Sequence, residues 1–436
     1  MSGTFFGQPR ALAYLAFTEA WERFSYYGMT SLLVLYMSQA LFLPGHVEHI
    51  AGFASFRALF GRDASVLALA SQVYGLYTGF VYFTPVLGGW IADRFLGRRR
   101  AVMAGAVLMS AGHFAMAFDV SFLPALVLLI VGCGLLKGNI STQVGQLYAE
   151  DDAEGRARAF SIFSMGINAG AVAGPVVCGL LAQLYGWHAG FALAGVLMLT
   201  ALVTYSIGYR SLTETARATT AVAHAPMTGR DWRVVAALFG VMLLTVFHSI
   251  AYFQNGNIGL VWVNSYADLS VLGWRIPPSW FPATDALVSI LAVPPLLALW
   301  RRQGEPGEIA KIATGAALAS AANLVLAFAA ASFARVPGIL PVLYEVLLGL
   351  GFLYYWPTLL ALVSRAAPPQ VKATMMGAAF LSLFLSNITL GRIGTLYETM
   401  SPAAFWLLNA AIAATGALLA LLLRRRLAAI FDEATG

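Results

Sequence analysis

The chain has 436 residues, 59% of them apolar and only 11% charged, against roughly a quarter charged in soluble domains. Its mean hydropathy of +0.76 excludes a soluble enzyme, a nucleic-acid binder and a secreted disulfide scaffold, because most of its surface must face lipid. The net charge of +6 is largely explained by basic residues gathered at the ends of apolar runs.

Apolar runs bounded by charge, Pro and Gly predict twelve membrane helices. The first six lie over 11–42, 66–94, 99–118, 121–148, 156–185 and 187–209. The others lie over 231–265, 279–302, 306–333, 337–366, 369–398 and 401–426. The first run follows Arg10, is interrupted by Glu19, Glu22 and Arg23, and has no small-residue cleavage site, so it is not expected to be a removable signal. Cys133 and Cys178 lie in apolar surroundings and offer no disulfide or metal framework. Of the 26 Lys and Arg, Arg23, Lys137 and Arg392 fall within spans; Arg57, Arg62, Arg275 and Arg335 fall on one side and the remaining 19 on the other. The positive-inside rule then puts both termini in the cytoplasm. The polar stretch 210–232 separates six spans from six. The expected architecture is an all-α membrane protein, with an N-terminal six-helix bundle over 1–209, a cytoplasmic linker over 210–232 and a C-terminal six-helix bundle over 233–436.

An ionisable group inside a span costs several kcal/mol, so each needs a partner, a cavity or a function. On a helix Glu19, Glu22, Arg23 and Tyr26 fall along one stripe, which should face the bundle interior. Two carboxylates beside one guanidinium leave a surplus negative charge. Lys137, at a similar depth in the fourth span, is expected to answer it. A permanent ion-pair network pinning the first and fourth helices is the alternative to a functional reading.

The run Glu19-Ala-Trp-Glu22-Arg23-Phe-Ser-Tyr-Tyr27-Gly28 resembles the ExxERFxYYG motif of the proton-dependent oligopeptide transporter family, a branch of the major facilitator superfamily. The resemblance continues through Gly88 to Gly97, Leu136 to Thr142, Phe160 to Gly170 and Met375 to Gly377, and so spans nearly the whole chain. It implies the major facilitator fold, with sites near the midplane between the halves. It also implies that Glu19, Glu22, Arg23 and Lys137 handle protons, while Tyr26, Tyr27, Tyr82, Lys137 and Asn168 line a peptide site. The Asp93-Arg94 turn with Arg98, Arg99 and Arg100 resembles the superfamily's cytoplasmic loop between spans two and three, read as a latch or as a plain positive-inside loop.

The family pattern also has gaps here. Thr30 stands where the family often carries an Arg, and Phe253 and Phe352 stand where it commonly has glutamates linked to binding the peptide amino group. Gln254 and Asn257 offer neutral hydrogen bonds beside them, and Trp356 adds aromatic surface. Asp285, Glu345 and Arg392 share a depth near the outer ends of their spans, as a gate or as a static pairing. His248 reads as a replacement titratable group or as packing. His46, Glu48 and His49 lack both a fourth ligand and His at i and i+4, so no metal site is expected. No hydrolase or ATP-binding motif is present, and no enzymatic activity or cofactor is expected. The reading is a proton-coupled symporter of di- and tripeptides or peptide-like compounds by alternating access, a monomer in the cell membrane without a nucleic-acid partner. The alternatives are a carrier of another amphiphilic carboxylate or N-blocked peptide with weak or no proton coupling, and a receptor or structural membrane protein.

Overall fold

Six long helices precede the linker region. In the computed structural model, which describes residues 4–5, 7–61, 64–149, 152–212 and 226–435, they are α1 (Arg10–Tyr36), α2 (Val66–Ile91), α3 (Arg98–Ala115), α4 (Phe122–Gly145), α5 (Ala153–Tyr185) and α6 (Trp187–Gly208). Six segments follow: α7 (Gly229–Phe253), α8 (Trp280–Leu291 continued by Val293–Gln303), α9 (Glu308–Ser332), α10 (Ile339–Ala366), α11 (Lys372–Gly394) and α12 (Pro402–Thr435). Among the described residues nine of these are long and apolar enough to cross a membrane, and α8 adds a tenth when its pieces count as one span. The other two are α1, interrupted by Glu19, Glu22 and Arg23, and α3, which opens on three arginines. Residues 213–225 of the expected linker, and Arg62 and Asp63 of the first outer loop, lie outside the described residues.

Helix ends follow the apolar runs closely, with three departures. The seventh span is not one helix to 265: a 3-10 turn over Gln254–Gly256 interrupts it, and a separate helix Ile258–Tyr266 follows. The eighth bends by 42° at its break, just before Pro294 and Pro295, which lack the N–H groups that would continue the ladder. The twelfth continues past Arg424, Arg425 and Arg426 to Thr435, because a charge run marks the lipid edge, and arginine itself favours helix.

The chain divides into two compact units, Met1–Ala70 with Phe80–Ala221 and Ser71–Gly79 with Val222–Gly436. The middle of α2 therefore groups with the C-terminal helices. In the first unit α1 packs on α5 and α6, and α3 on α4 and α6. The α1–α5 seam is a stripe of small residues: Gly166, Gly170, Gly174 and Cys178, four apart on α5, meet Ala16, Ala20, Phe24 and Gly28 on α1. Lipid tails leave helix association little hydrophobic advantage, so close backbone approach and its dispersion energy hold such a seam. In the second unit α9 packs on α10 and α12, α7 on α11 and α12, and α8 on α10. Ser71 Oγ donates to the Gly391 carbonyl at 3.1 Å, which ties 71–79 to α11.

Candidate functional site

The sequence of α1 is rich in Ala, Leu, Glu and Arg, all good helix formers, and the helix runs unbroken through its charges. Glu19, Glu22, Arg23 and Tyr26 are all buried, so the polar stripe faces the interior. Arg23 Nε lies 3.0 Å from Glu19 Oε1 and also pairs with Glu22. Lys137, half-buried on α4, is within electrostatic reach of Arg23, Glu22 and Glu19, yet makes no ion pair among the described residues. Its Nζ stands 4.7 Å from the Tyr82 ring centroid and 6.0 Å from that of Tyr26. The Arg23 guanidinium carbon lies 5.4 Å from the same Tyr26 ring. A cation–π contact contributes roughly 0.5–2 kcal/mol, less than the desolvation of a buried ammonium costs.

Tyr27 is half-buried and meets Tyr26 edge-on at 5.1 Å. Asn168 is half-buried on α5 and makes no side-chain hydrogen bond among the described residues. Thr30 Oγ1 donates to the Tyr26 carbonyl at 2.8 Å and is thereby closed on its own helix. At the other end of α2, Arg98 Nε and Nη2 both donate to Asp93 Oδ1, at 3.2 and 3.0 Å. That pair spans the turn at Gly97, whose φ of +78° suits glycine.

His46, Glu48 and His49 do not converge. Glu48 accepts the Gly45 N–H at 2.8 Å, whereas His46 Nδ1 lies 3.3 Å from Asp119, which also accepts from the Tyr36 hydroxyl and stands 3.1 Å from His188 Nε2. Among the described residues no three His, Cys, Asp or Glu are arranged to hold a metal ion.

In the second unit the two phenylalanines flank one tyrosine. The Tyr252 ring stacks on Phe352 at 5.4 Å and meets Phe253 edge-on at 5.0 Å. Trp356 is half-buried, edge-on to Phe380. Gln254 and Asn257 are wholly buried in the break after α7. Gln254 Nε2 donates to the Leu390 carbonyl at 3.2 Å, and Asn257 Nδ2 donates to Gln254 Oε1 at 3.2 Å and to Ser71 Oγ at 2.7 Å. These bonds tie the break to α11 and to Ser71, while Asn257 Oδ1 has no hydrogen-bond partner among the described residues.

Asp285 and Glu345 are buried and held from α7 and the turn after it: the Tyr252 hydroxyl donates to Asp285 Oδ2 at 2.5 Å, and Asn255 Nδ2 to Glu345 Oε2 at 3.5 Å. Arg392 does not join them. It is exposed on α11 and makes no ion pair among the described residues, so a shared depth in sequence did not become a shared face. His248 is fully buried between Tyr252 and Tyr355, its ring 4.2 Å from that of Tyr355, with no hydrogen bond at either nitrogen. Among the described residues its ring contacts are with those two tyrosines. Sequence reasoning missed Ser71, which carries no signal of its own, and the Tyr252 hydroxyl, hidden in an aromatic run.

The sequence profile described as the POT family matches residues 99–225 and 214–407. The chain belongs to the POT family. It is 29% identical to the peptide transporter YePEPT of Yersinia enterocolitica, over 90% of this chain and 88% of that one. It is 28% identical to a di-/tripeptide transporter of Lactococcus lactis, over 97% of this chain and 96% of the relative. A crystal structure of a peptide transporter POT in complex with sulfate superposes with a TM-score of 0.87 at 26% identity, covering 99% of this chain and 97% of that one. A crystal structure of a mutant peptide transporter POT in complex with alafosfalin superposes with a TM-score of 0.86 at 26% identity, covering 99% and 97%. The fold is thus the all-α, multi-pass architecture of POT transporters, as the sequence led one to expect.

Proposed function

We propose that this POT-family chain is a proton-coupled symporter that carries di- and tripeptides or peptide-like carboxylates across the cell membrane by alternating access, as a monomer with both termini cytoplasmic. Full-length relatives described as peptide and di-/tripeptide transporters support the substrate class. The observation that carries the reading is Lys137: a cation held over Tyr82 and Tyr26, near two carboxylates but ion-paired with neither.

The charge count supplies the coupling. Arg23 and Lys137 balance Glu19 and Glu22, so the buried network is neutral as it stands. A substrate carboxylate that docks on Lys137 adds one negative charge, and a proton on Glu22 or Glu19 removes it. Each ligand then favours the other, and reciprocity requires that substrate raise proton affinity as protons raise substrate affinity. A permanent ion-pair network pinning α1 to α4 would need Lys137 paired to a carboxylate of α1, whereas the Arg23 pairs lie within α1 and Lys137 makes no ion pair among the described residues.

Uptake of a labelled dipeptide into proteoliposomes, with and without an inward pH gradient, tests the proposal. Accumulation above equilibrium only with the gradient is expected; accumulation that ignores it would remove proton coupling.

A second reading is favoured by Phe253 and Phe352, which present rings where the family commonly has glutamates. An ammonium against those rings loses more in desolvation than cation–π attraction returns, so peptides with a blocked amine or other amphiphilic carboxylates become the preferred cargo. A counterflow screen comparing free and N-acetylated dipeptides separates the two.

A further inference from the structure

Asp285 on α8 and Glu345 on α10 are both buried, 7% and 2% exposed. Asp285 lies against α10 at Gly349, where an added Cβ would stand 3.0 Å from Asp285 Oδ1. Glu345 is four residues before Gly349, one turn along the same face of α10. Tyr252 and Asn255, three apart, each donate one hydrogen bond, to Asp285 and Glu345 respectively. Among the described residues Asp285 Oδ1 has no hydrogen-bond partner, and neither has the Tyr344 hydroxyl, which is 1% exposed and within electrostatic reach of both acids.

Among the described residues no cation is ion-paired with either acid; on the neighbouring helices Lys311 pairs with Glu305, Arg365 with Glu308, and Arg392 is exposed. Tyr252 and Tyr344 are titratable groups that face the pair, with His248 stacked behind Tyr252. Two ionised carboxylates buried this close, without a counter-charge, repel each other and lose hydration together. A proton on one of them removes the repulsion and one of the two desolvation costs, and gives the unpartnered Asp285 oxygen a role.

We propose that Asp285 and Glu345 form a proton-binding site in the second unit, carrying one proton at neutral pH and exchanging it independently of the Glu22 network. The site occupies the layer beside Phe352 and Tyr252, where the sequence lacks the expected glutamate. A proton needs no entrance of ligand size, which fits the near-complete burial of both acids. The use of this proton in transport rests on the symport reading above; its presence does not.

Infrared difference spectroscopy of the purified full chain, between neutral and alkaline pH in H2O and D2O, tests for it. A protonated-carboxyl band, shifted by deuterium, is expected in the wild type and in Glu22→Gln, and its loss is expected in Asp285→Asn/Glu345→Gln. The milder Tyr252→Phe, which removes only the donated hydrogen bond, is expected to shift the band if the double variant yields no folded protein. A band unchanged in the double variant, unmoved in Tyr252→Phe, or absent from the wild type overturns the proposal. Because no substrate is present, none of these outcomes depends on whether peptides are the cargo.

Discussion

Gly170 on α5 lies directly beneath Arg23 on α1: a Cβ at Gly170 would stand 2.8 Å from Cβ of Arg23 and 2.7 Å from the backbone nitrogen of Phe24. The seam that lets two helices touch thus also sets where the central guanidinium sits. Gly170→Val is expected to destabilise by about 1–3 kcal/mol, the usual range for overpacking, and to displace Arg23 from Glu19 and Glu22. Thermal unfolding in detergent should show the lowered midpoint and vesicle uptake the loss of rate; a variant with both at wild-type values would show that the seam tolerates a side chain.

Glu22→Gln removes a carboxylate that a proton would otherwise neutralise. The expected result is loss of pH-driven accumulation with downhill exchange retained, since a neutral glutamine resembles the protonated acid. The sign follows from the charge count: in wild type, accumulation increases as the outer pH falls below the inner, and in Glu22→Gln it stays flat. Equal gradient dependence in the two proteins would transfer the proton to another group.

For Lys137→Gln the measurement is substrate affinity. A charge-assisted hydrogen bond contributes about 1.5–3 kcal/mol, so affinity for a carboxylate-bearing peptide should fall roughly 10- to 150-fold. Affinity for the corresponding peptide amide should change little. A uniform loss for both would point to general damage and not to a carboxylate contact.

Phe352→Glu restores an acid beside Tyr252 where the chain has a ring. Preference should move from N-acetylated towards free-amine dipeptides, read as the ratio of their counterflow rates. If wild type already rejects the acetylated forms, the aromatic wall does not select against an ammonium.

Ser71→Ala and Asn257→Ala each leave a buried polar group without its partner, at an expected cost of about 1–3 kcal/mol. Because the two side chains bond each other at 2.7 Å, the double variant should lose less than the sum of the singles. Strict additivity in thermal unfolding would refute a direct link between 71–79 and the turn after α7.

The helices, and the ion pair inside one of them, were legible in the amino-acid order. In lipid each span must satisfy its own backbone, so run length alone reveals α2, α4 or α9. Glu19 and Arg23 are four apart on one helix, so their ion pair needs no tertiary knowledge. Depth along the fourth span pointed to Lys137 and the family resemblance added Tyr82, and the structure brings the two together. Rotation and partnership came from the packing of helix on helix. Position along a span gives depth, not azimuth, so Asp285, Glu345 and Arg392 looked equivalent until α11 turned Arg392 outward and α8 and α10 turned the two acids inward. Lys137 and Glu22 looked like a pair by depth, yet Lys137 stands over aromatic rings and Arg23 holds both acids. Gln254 and Asn257 looked available as amides, but in the break after α7 they turn to the Leu390 carbonyl of α11 and to Ser71. Choices of this kind depend on how neighbouring helices rotate and pack, and no spacing within one strip of sequence contains that information.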